Sequence, residues 1–373
     1  MRIVHTESSC GWGGQELRVL TEAQGMIARR HQVEIWAPAQ SNIYKEAQRR
    51  GVPCRTLPIE RRTLTGLKSL RRAIADTRPD VVNTHSSTDS WLVAIACLTL
   101  SGAPPVVRTR HISAPVPTDF ATRWLYNHAT RHIVTTGERL RETLIAINGL
   151  RADRITSIPT GVDTNHFHPG DAREARRVLG LDVEKRYIGI VATLRSWKGH
   201  LYLIDAFANL ARHDDGLRLI IVGDGPMLDA LKERTAALRI TDEVVFAGRQ
   251  ENVPEWLRAF DIFCLPSYAN EGVPQALVQA MLTALPVVTT AVGSISEAAS
   301  DGSTALIVPP KDADSLANAL QSLLSDPTLA ERLGRAARSR ALQQFDAASM
   351  VARMEAIFRE TIENHAAIAK NAL

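Results

Sequence analysis

Cysteine is scarce. Cys10, Cys54, Cys97 and Cys264 are the four in 373 residues, and they stand far apart without forming a CxxC pair. That spacing argues against a disulfide framework and against a cysteine-bound structural zinc. Each lies in or near an apolar stretch, so buried free thiols in a reducing compartment are expected. Long apolar runs are also missing, which removes a membrane-spanning helix. Met1-Arg2-Ile3-Val4 opens directly on a strand-like run, so no signal peptide is expected. Two phosphate-binding fingerprints are absent, G-x-G-x-x-G and the G-K-[ST] of a P-loop, and no serine sits in a G-x-S-x-G nucleophile elbow.

What is present reads as a soluble globular protein, with 45% hydrophobic and 23% charged residues. The length points to two domains rather than one core. A net charge of +4 conceals an asymmetry: up to His168 there are 22 Lys/Arg against 14 Asp/Glu, and beyond it 22 against 26. A basic first half suggests an anionic partner there, whether a ligand, a membrane surface or nucleic acid.

Short β-branched runs alternate with helical patterns. In the first half, strands are expected at 2–6, 32–36, 81–84, 106–109, 132–135 and 155–158, with helices such as 15–29 and 65–76 between them. PTGVDTNHFHPGD follows, rich in turn residues, and reads as the hinge between domains 1–168 and 169–346. The alternation restarts with strands at 187–192, 218–222, 244–246, 262–265, 286–290 and 305–308, and the tail from about 347 to 373 is helical. The pattern predicts an α/β protein of two doubly wound parallel sheets facing each other, with ligands bound beyond the carboxyl ends of the strands.

The densest chemistry lies in Asn270–Leu285, NEGVPQALVQAMLTAL. As a short loop entering a helix, it stacks Glu271, Gln275, Gln279 and Thr283 at four-residue spacing on one face, with Pro274 in the first turn. Free N–H groups at such a start favour a diphosphate. From Glu271 to Gln279 would be roughly 12 Å of helix, enough for one ligand to touch both. An ordinary amphipathic helix fits the same spacing. Gly13 and Gly14, after the first strand, either let backbone N–H groups approach a phosphate or simply make a tight turn. Arg195 and Lys198 follow a strand end, where they clamp a diphosphate or are solvated loop cations. His85 and His111 also fall at strand ends. Asp312-Ala313-Asp314 looks like a metal-binding DxD but precedes a helix, so an N-cap is the better reading.

Taken in order, these stretches resemble the retaining glycosyltransferases of family 4, which have the GT-B fold of two Rossmann-like domains across a cleft. The resemblance rests on Gly13-Gly14, Arg110-His111, Gly161-Val162-Asp163, Lys198-Gly199, Gly223-Asp224-Gly225-Pro226, Leu265-Pro266-Ser267 and Glu271-Gly272-Val273-Pro274, over nearly the whole chain. It implies a UDP- or GDP-linked sugar donor on the second domain, an acceptor on the first, and a tail helix crossing back to the first. It further implies that Glu271 binds hydroxyls of the transferred sugar, with Gly272 and Val273 near the phosphates. Lys198 and Arg195 would hold the diphosphate, Gly14 would approach it, and His111 would contact the donor sugar. Arg249 would border the base, and Gly13, His85 and Arg110 would lie on the acceptor side. Front-face transfer follows, in which the leaving phosphate takes the acceptor's proton, with no metal or other cofactor.

Two positions depart from the family pattern. Its second glutamate, eight residues after the first, is Gln279 here, so an anionic grip on the ribose is lost. Its phosphate arginine follows a glycine, where this chain has Ala192-Thr193-Leu194, and Arg195 would substitute from two residues on. The stretch 61–72, RRTLTGLKSLRR, mixes cations with leucines at helical spacing. It either lies on an anionic membrane leaflet or is a solvated basic face. A cytoplasmic chain with a saccharide or lipid-linked acceptor is expected, and the first alternative adds a peripheral contact on the cytoplasmic face of the inner membrane. Lipopolysaccharide or surface polysaccharide assembly is then the expected pathway, and nucleic acid is not a partner. Rival readings are an epimerase or phosphorylase on the same fold and a silent nucleotide-sugar-binding partner. The epimerase would need titratable acid and base groups around the sugar, and Gln279 keeps the silent partner open.

Overall fold

The computed structural model describes residues 1–112, 114–269 and 271–371, so Asn270 lies outside it. The chain divides into two units: Met1–Gly161 with the segment from Ala347, and Val162–Asp346. The division comes earlier than the expected one after His168. Val162 N donates to Phe345 O at 2.8 Å, and Phe167 is buried in the second unit's core, which draws residues 162–168 into that unit.

The first unit is a parallel sheet of β1 (Arg2–Thr6), β2 (Gln32–Ala37), β3 (Cys54–Thr56), β4 (Val81–Thr84), β5 (Val106–Arg110), β6 (His132–Thr135) and β7 (Ile155–Ser157), in the order β3-β2-β1-β4-β5-β6-β7. Strands with β-branched residues on both faces need cover on both faces. Ile3 on β1 packs with Val19, Leu20 and Met26 of the Gly14–Ala28 helix, while its neighbour Val4 points the other way, to Trp36, Leu70 and Leu92. The Ala347–Asn371 helix joins the first of these cores through Met350, Met354, Ile357 and Phe358, an apolar stripe at helical spacing. β3 was not expected. Its three residues, CRT, are at most half-buried at the sheet edge and carry no apolar signal.

The second unit has β8 (Arg186–Val191), β9 (Leu217–Val222), β10 (Val244–Gly248), β11 (Ile262–Leu265), β12 (Val287–Thr289) and β13 (Leu306–Ile307), in the order β10-β9-β8-β11-β12-β13. Each sheet therefore reverses its order once, between β1 and β4 and between β8 and β11. Crevices at the carboxyl ends of such strand pairs are where open α/β sheets bind ligands. The four thiols are free, but only Cys264 is buried. Cys10 is exposed because residues 7–12 form a loop, contrary to the expectation of burial.

Candidate active site

In the second unit, the β8–β11 switch point brings Lys198 and Glu271 together. Lys198 ends a short turn, Ser196–Lys198, after β8, and its Nζ donates to Glu271 Oε1 at 2.6 Å. Ser267 Oγ donates to the same oxygen, also at 2.6 Å. Two glycines make this possible. Gly199 has φ +77, and a Cβ there would lie 2.1 Å from Pro266 O; Gly293 has φ +61, and its Cβ would lie 2.1 Å from Glu271 O. A side chain at either place would meet both a left-handed backbone and a carbonyl. Tyr268 N donates to Trp197 O at 2.8 Å, which ties the two loops directly.

The expected helical stack is corrected here. The helix runs only over Gln275–Leu282, and Pro274 is its N-cap with extended ψ of 127° rather than part of its first turn. Glu271 therefore sits in the preceding loop, held by Gly293 and Ser267, and not on the helix face. Gln279 and Thr283 are buried, with Thr283 Oγ1 donating to Gln279 O at 2.7 Å, so the polar face does not meet open solvent. Gly272 and Val273 are buried in the loop beside Glu271. Arg195 is exposed, its guanidinium 5.8 Å from the centre of the Trp197 ring, and Arg249 is exposed just after β10. Asp312 accepts from Ser315 N at 2.9 Å and so caps a helix.

In the first unit, the β1–β4 switch point gathers groups that periodicity does not reveal. Glu7, directly after β1, accepts from Ser9 N at 2.7 Å and from Gln15 Nε2 and Ser86 Oγ, each at 2.5 Å. Asp89 accepts from Thr6 Oγ1 at 2.8 Å, His85 N at 3.0 Å and Ser86 N at 2.9 Å. Both carboxyls are fully buried, and burial raises Glu7 to about 8 and Asp89 to about 6. For Glu7 the nearby charges of Asp89 and Glu16 push the same way, against the hydrogen bonds from Ser86 and Ser9. Asp89 had a readable signal, the S-x-x-D spacing of a capping box from Ser86. Glu7 had only its place after a strand.

His85 and His111 are joined, Nδ1 to Nε2, at 2.9 Å. Arg110, expected on the acceptor side, donates from Nη2 to Ala114 O at 2.8 Å and so ties its own loop. Gly13 is the N-cap of the Gly14–Ala28 helix with fully extended backbone, φ −179°, and Gly14 begins the helix, so neither position needs glycine for its conformation.

Residues 12–166 match the family model for Glycosyltransferase Family 4, and residues 171–340 that for glycosyl transferases group 1. The lipopolysaccharide core biosynthesis mannosyltransferase LpsB of Rhizobium meliloti is 34% identical over 238 residues, 59% of this chain and 67% of that protein. The D-inositol 3-phosphate glycosyltransferase of Nocardia farcinica is 34% identical over 230 residues, 59% of this chain but only 50% of that protein. Matched segments thus span about half of one relative and two thirds of the other. Anabaena Alr3699/HepE, solved in complex with UDP and glucose, superposes with a TM-score of 0.85 at 21% identity, over 96% of this chain and 99% of that one. The two-sheet architecture is that of the GT-B glycosyltransferases. With models matched along both units and a relative covered over two thirds of its length, the chain belongs to the family 4 glycosyltransferases.

Proposed function

We propose that this protein is a retaining glycosyltransferase that moves a sugar from a UDP- or GDP-linked donor to a saccharide or lipid-linked saccharide. The observation that carries the reading is the Lys198–Glu271 pair at the β8–β11 switch point, within a chain of this family. Lys198 gives a cation for the leaving diphosphate, and Arg195, exposed nearby in sequence, gives a second. Glu271 uses only Oε1 for its described hydrogen bonds, leaving Oε2 to accept from sugar hydroxyls. Gly272 and Val273 supply backbone to the phosphates, and Arg249 and Gln279 border the base and ribose. On the first unit, the family reading gives Gly13, Gly14 and His111 their own parts in substrate binding.

The C1–phosphate bond breaks and the C1–acceptor bond forms on the same face, while the acceptor's proton passes to the leaving phosphate oxygen. Positioning and charge stabilisation are then all the protein supplies, and in this reading the cations take the place of a metal.

Similarity to LpsB supports lipopolysaccharide or surface polysaccharide assembly as the pathway. Within the stretch 61–72, the exposed Arg61, Arg62, Lys68, Arg71 and Arg72, with Leu64 74% exposed beside them, support a peripheral membrane contact on the cytoplasmic side in this reading, although Leu67 and Leu70 turn inward to the core. No helix among the described residues is long and apolar enough to cross a membrane. Sedimentation with anionic vesicles should weaken when Arg61, Arg62, Arg71 and Arg72 become glutamate, and unchanged binding would remove that contact.

One observation favours a second reading. The buried acids and histidines at the β1–β4 switch point are the titratable groups an epimerase needs. Thermal-shift titration with UDP, GDP and ADP tests the nucleotide site first, because a ligand stabilises in proportion to its occupancy. UDP or GDP should raise Tm, and indifference to all three would remove the reading.

A further inference from the structure

Behind His111 runs a line of groups that the proposed transfer leaves unused. His85 Nδ1 is 2.9 Å from His111 Nε2, and His85 Nε2 is 3.0 Å from His5 Nδ1. The rings are 5.2 and 5.3 Å apart between centres and tilted by 35° and 25°, so they join edge to edge through their nitrogens. Beyond them, His5 Nε2 faces Glu22 Oε1 at 4.0 Å. Glu22 accepts from Asn83 Nδ2 at 3.3 Å and lies 4.0 Å from Arg18 Nε. His5, Glu22 and Arg18 are fully buried, His85 nearly so, and His111 only partly. His5 Nε2 and Glu22 Oε2 have no hydrogen-bond partner among the described residues, an uncommon state for buried polar atoms. Phe358 of the tail helix closes the line with its ring edge against His5.

Burial keeps all three rings neutral. His5 falls to about 3, and His85 and His111 fall well below the ordinary value, helped by the nearby Arg18. A neutral imidazole has one N–H and one bare nitrogen, so each nitrogen–nitrogen contact holds a single proton. Only two arrangements are consistent. If His5 carries its proton on Nε2, toward Glu22, then His85 and His111 carry theirs on Nε2 as well, and the outer Nδ1 of His111 is bare. If Glu22 is protonated and donates to His5, all three rings carry the proton on Nδ1 instead.

We propose that Glu22, His5 and His85 are positioning residues that set the tautomer of His111: ionised Glu22 makes its outer nitrogen an acceptor, and protonated Glu22 makes it a donor. The states differ by one proton. Added at His111 Nδ1, it is matched by Nε2–H of His111 passing to His85 Nδ1, Nε2–H of His85 to His5 Nδ1, and Nε2–H of His5 to Glu22. Every ring keeps one proton throughout, and Glu22 ends as the acid. The last transfer requires the Glu22 carboxyl to close the 4.0 Å gap to His5 Nε2.

The surrounding charges poise the switch. Burial raises Glu22 to about 7, against the pull of Arg18 and the Asn83 hydrogen bond. Arg353 of the tail helix acts on Arg18, Arg110 of β5 acts on His111, and Asp89 holds the backbone N of His85. In the transferase reading, on which the kinetic consequence rests, the transferred sugar gains positive charge as its bond to phosphate breaks. A bare nitrogen on His111 stabilises that charge and an N–H does not. The ionised state is therefore the active one.

Long-range proton–nitrogen NMR of the full chain reads the ring tautomers without any substrate. Between pH 5.5 and 9, His5, His85 and His111 should switch together from Nδ1–H to Nε2–H with one midpoint. Glu22→Gln, with no proton to lose, should hold all three in one state across that range. Wild-type turnover should fall roughly tenfold on the acid side through kcat with KM little changed, and this limb should vanish in Glu22→Gln. A His111 tautomer constant with pH in the wild type, or a switch that persists in Glu22→Gln, overturns the proposal. A protein that switches but never turns over a sugar nucleotide instead overturns the transferase reading and leaves the switch standing.

Discussion

Lys198→Met keeps most of the side chain's stem and removes its charge. Glu271, with its side chain 6% exposed, would then lose its 2.6 Å cation and keep only the Ser267 hydroxyl. Breaking a fully buried pair costs about 3–5 kcal/mol. The Lys198 side chain is 17% exposed, so water partly screens this pair, and about 2 kcal/mol is the expected loss. In a unit the size of Val162–Asp346, each kcal/mol moves Tm by roughly 2–4 °C, which gives a fall of roughly 4–8 °C without ligand. Glu271→Gln added to Lys198→Met should recover part of it, because no orphaned carboxylate remains, with a coupling of about 1–2 kcal/mol. Calorimetric titration with UDP and GDP supplies the functional half. A lost charge-assisted contact to the diphosphate, worth about 1.5–3 kcal/mol, lowers affinity by roughly 10- to 150-fold. Unchanged Tm together with unchanged nucleotide affinity in Lys198→Met would refute the reasoning.

Other perturbations separate the supports of the site. Gly293→Ala places a Cβ 2.1 Å from Glu271 O, whereas Gly302, at a similar φ of +65, has nothing within 4 Å. Gly302→Ala should cost only about 1 kcal/mol in denaturant melts, while Gly293→Ala costs more and also impairs donor turnover; equal effects would remove Gly293 from the site. Gln279→Glu should tighten nucleotide binding roughly tenfold by restoring an anionic acceptor for the ribose, and unchanged titration curves would move the ribose elsewhere. Phe358→Ala empties a fully buried position under the tail helix and should destabilise the first unit by about 3–5 kcal/mol. A melt unchanged by that substitution would deny the helix its part in the core.

The sheets were legible because their strands carry a local signal. Residues 81–84, 132–135 and 262–265 are short β-branched or apolar runs, and the strands occupy those ranges residue for residue. β3 was not legible, since CRT owes its place to pairing with β2 at the edge. Pair partners are invisible to periodicity. Four-residue spacing aligned Glu271 with the face of the helix it precedes, yet its position in that loop depends on Gly293 and Ser267, one of them 22 residues further along the chain. The same holds for His5, Glu7 and Glu22. They are ordinary polar residues in sequence, and they become perturbed only when β1 pairs with β4 and the Gly14–Ala28 helix covers them. Motif order singled out Lys198 and Glu271, which the fold joins by a hydrogen bond, while the perturbed groups of the first unit emerged only from packing.

Incubation of the full chain with single nucleotide sugars and no acceptor tests the central claim most directly. A transferase should slowly release free nucleotide and sugar of unchanged anomeric configuration from one UDP- or GDP-linked donor, and Glu271→Ala should abolish that release with its fold intact. Isomerised donor, or full activity in Glu271→Ala, would contradict the account.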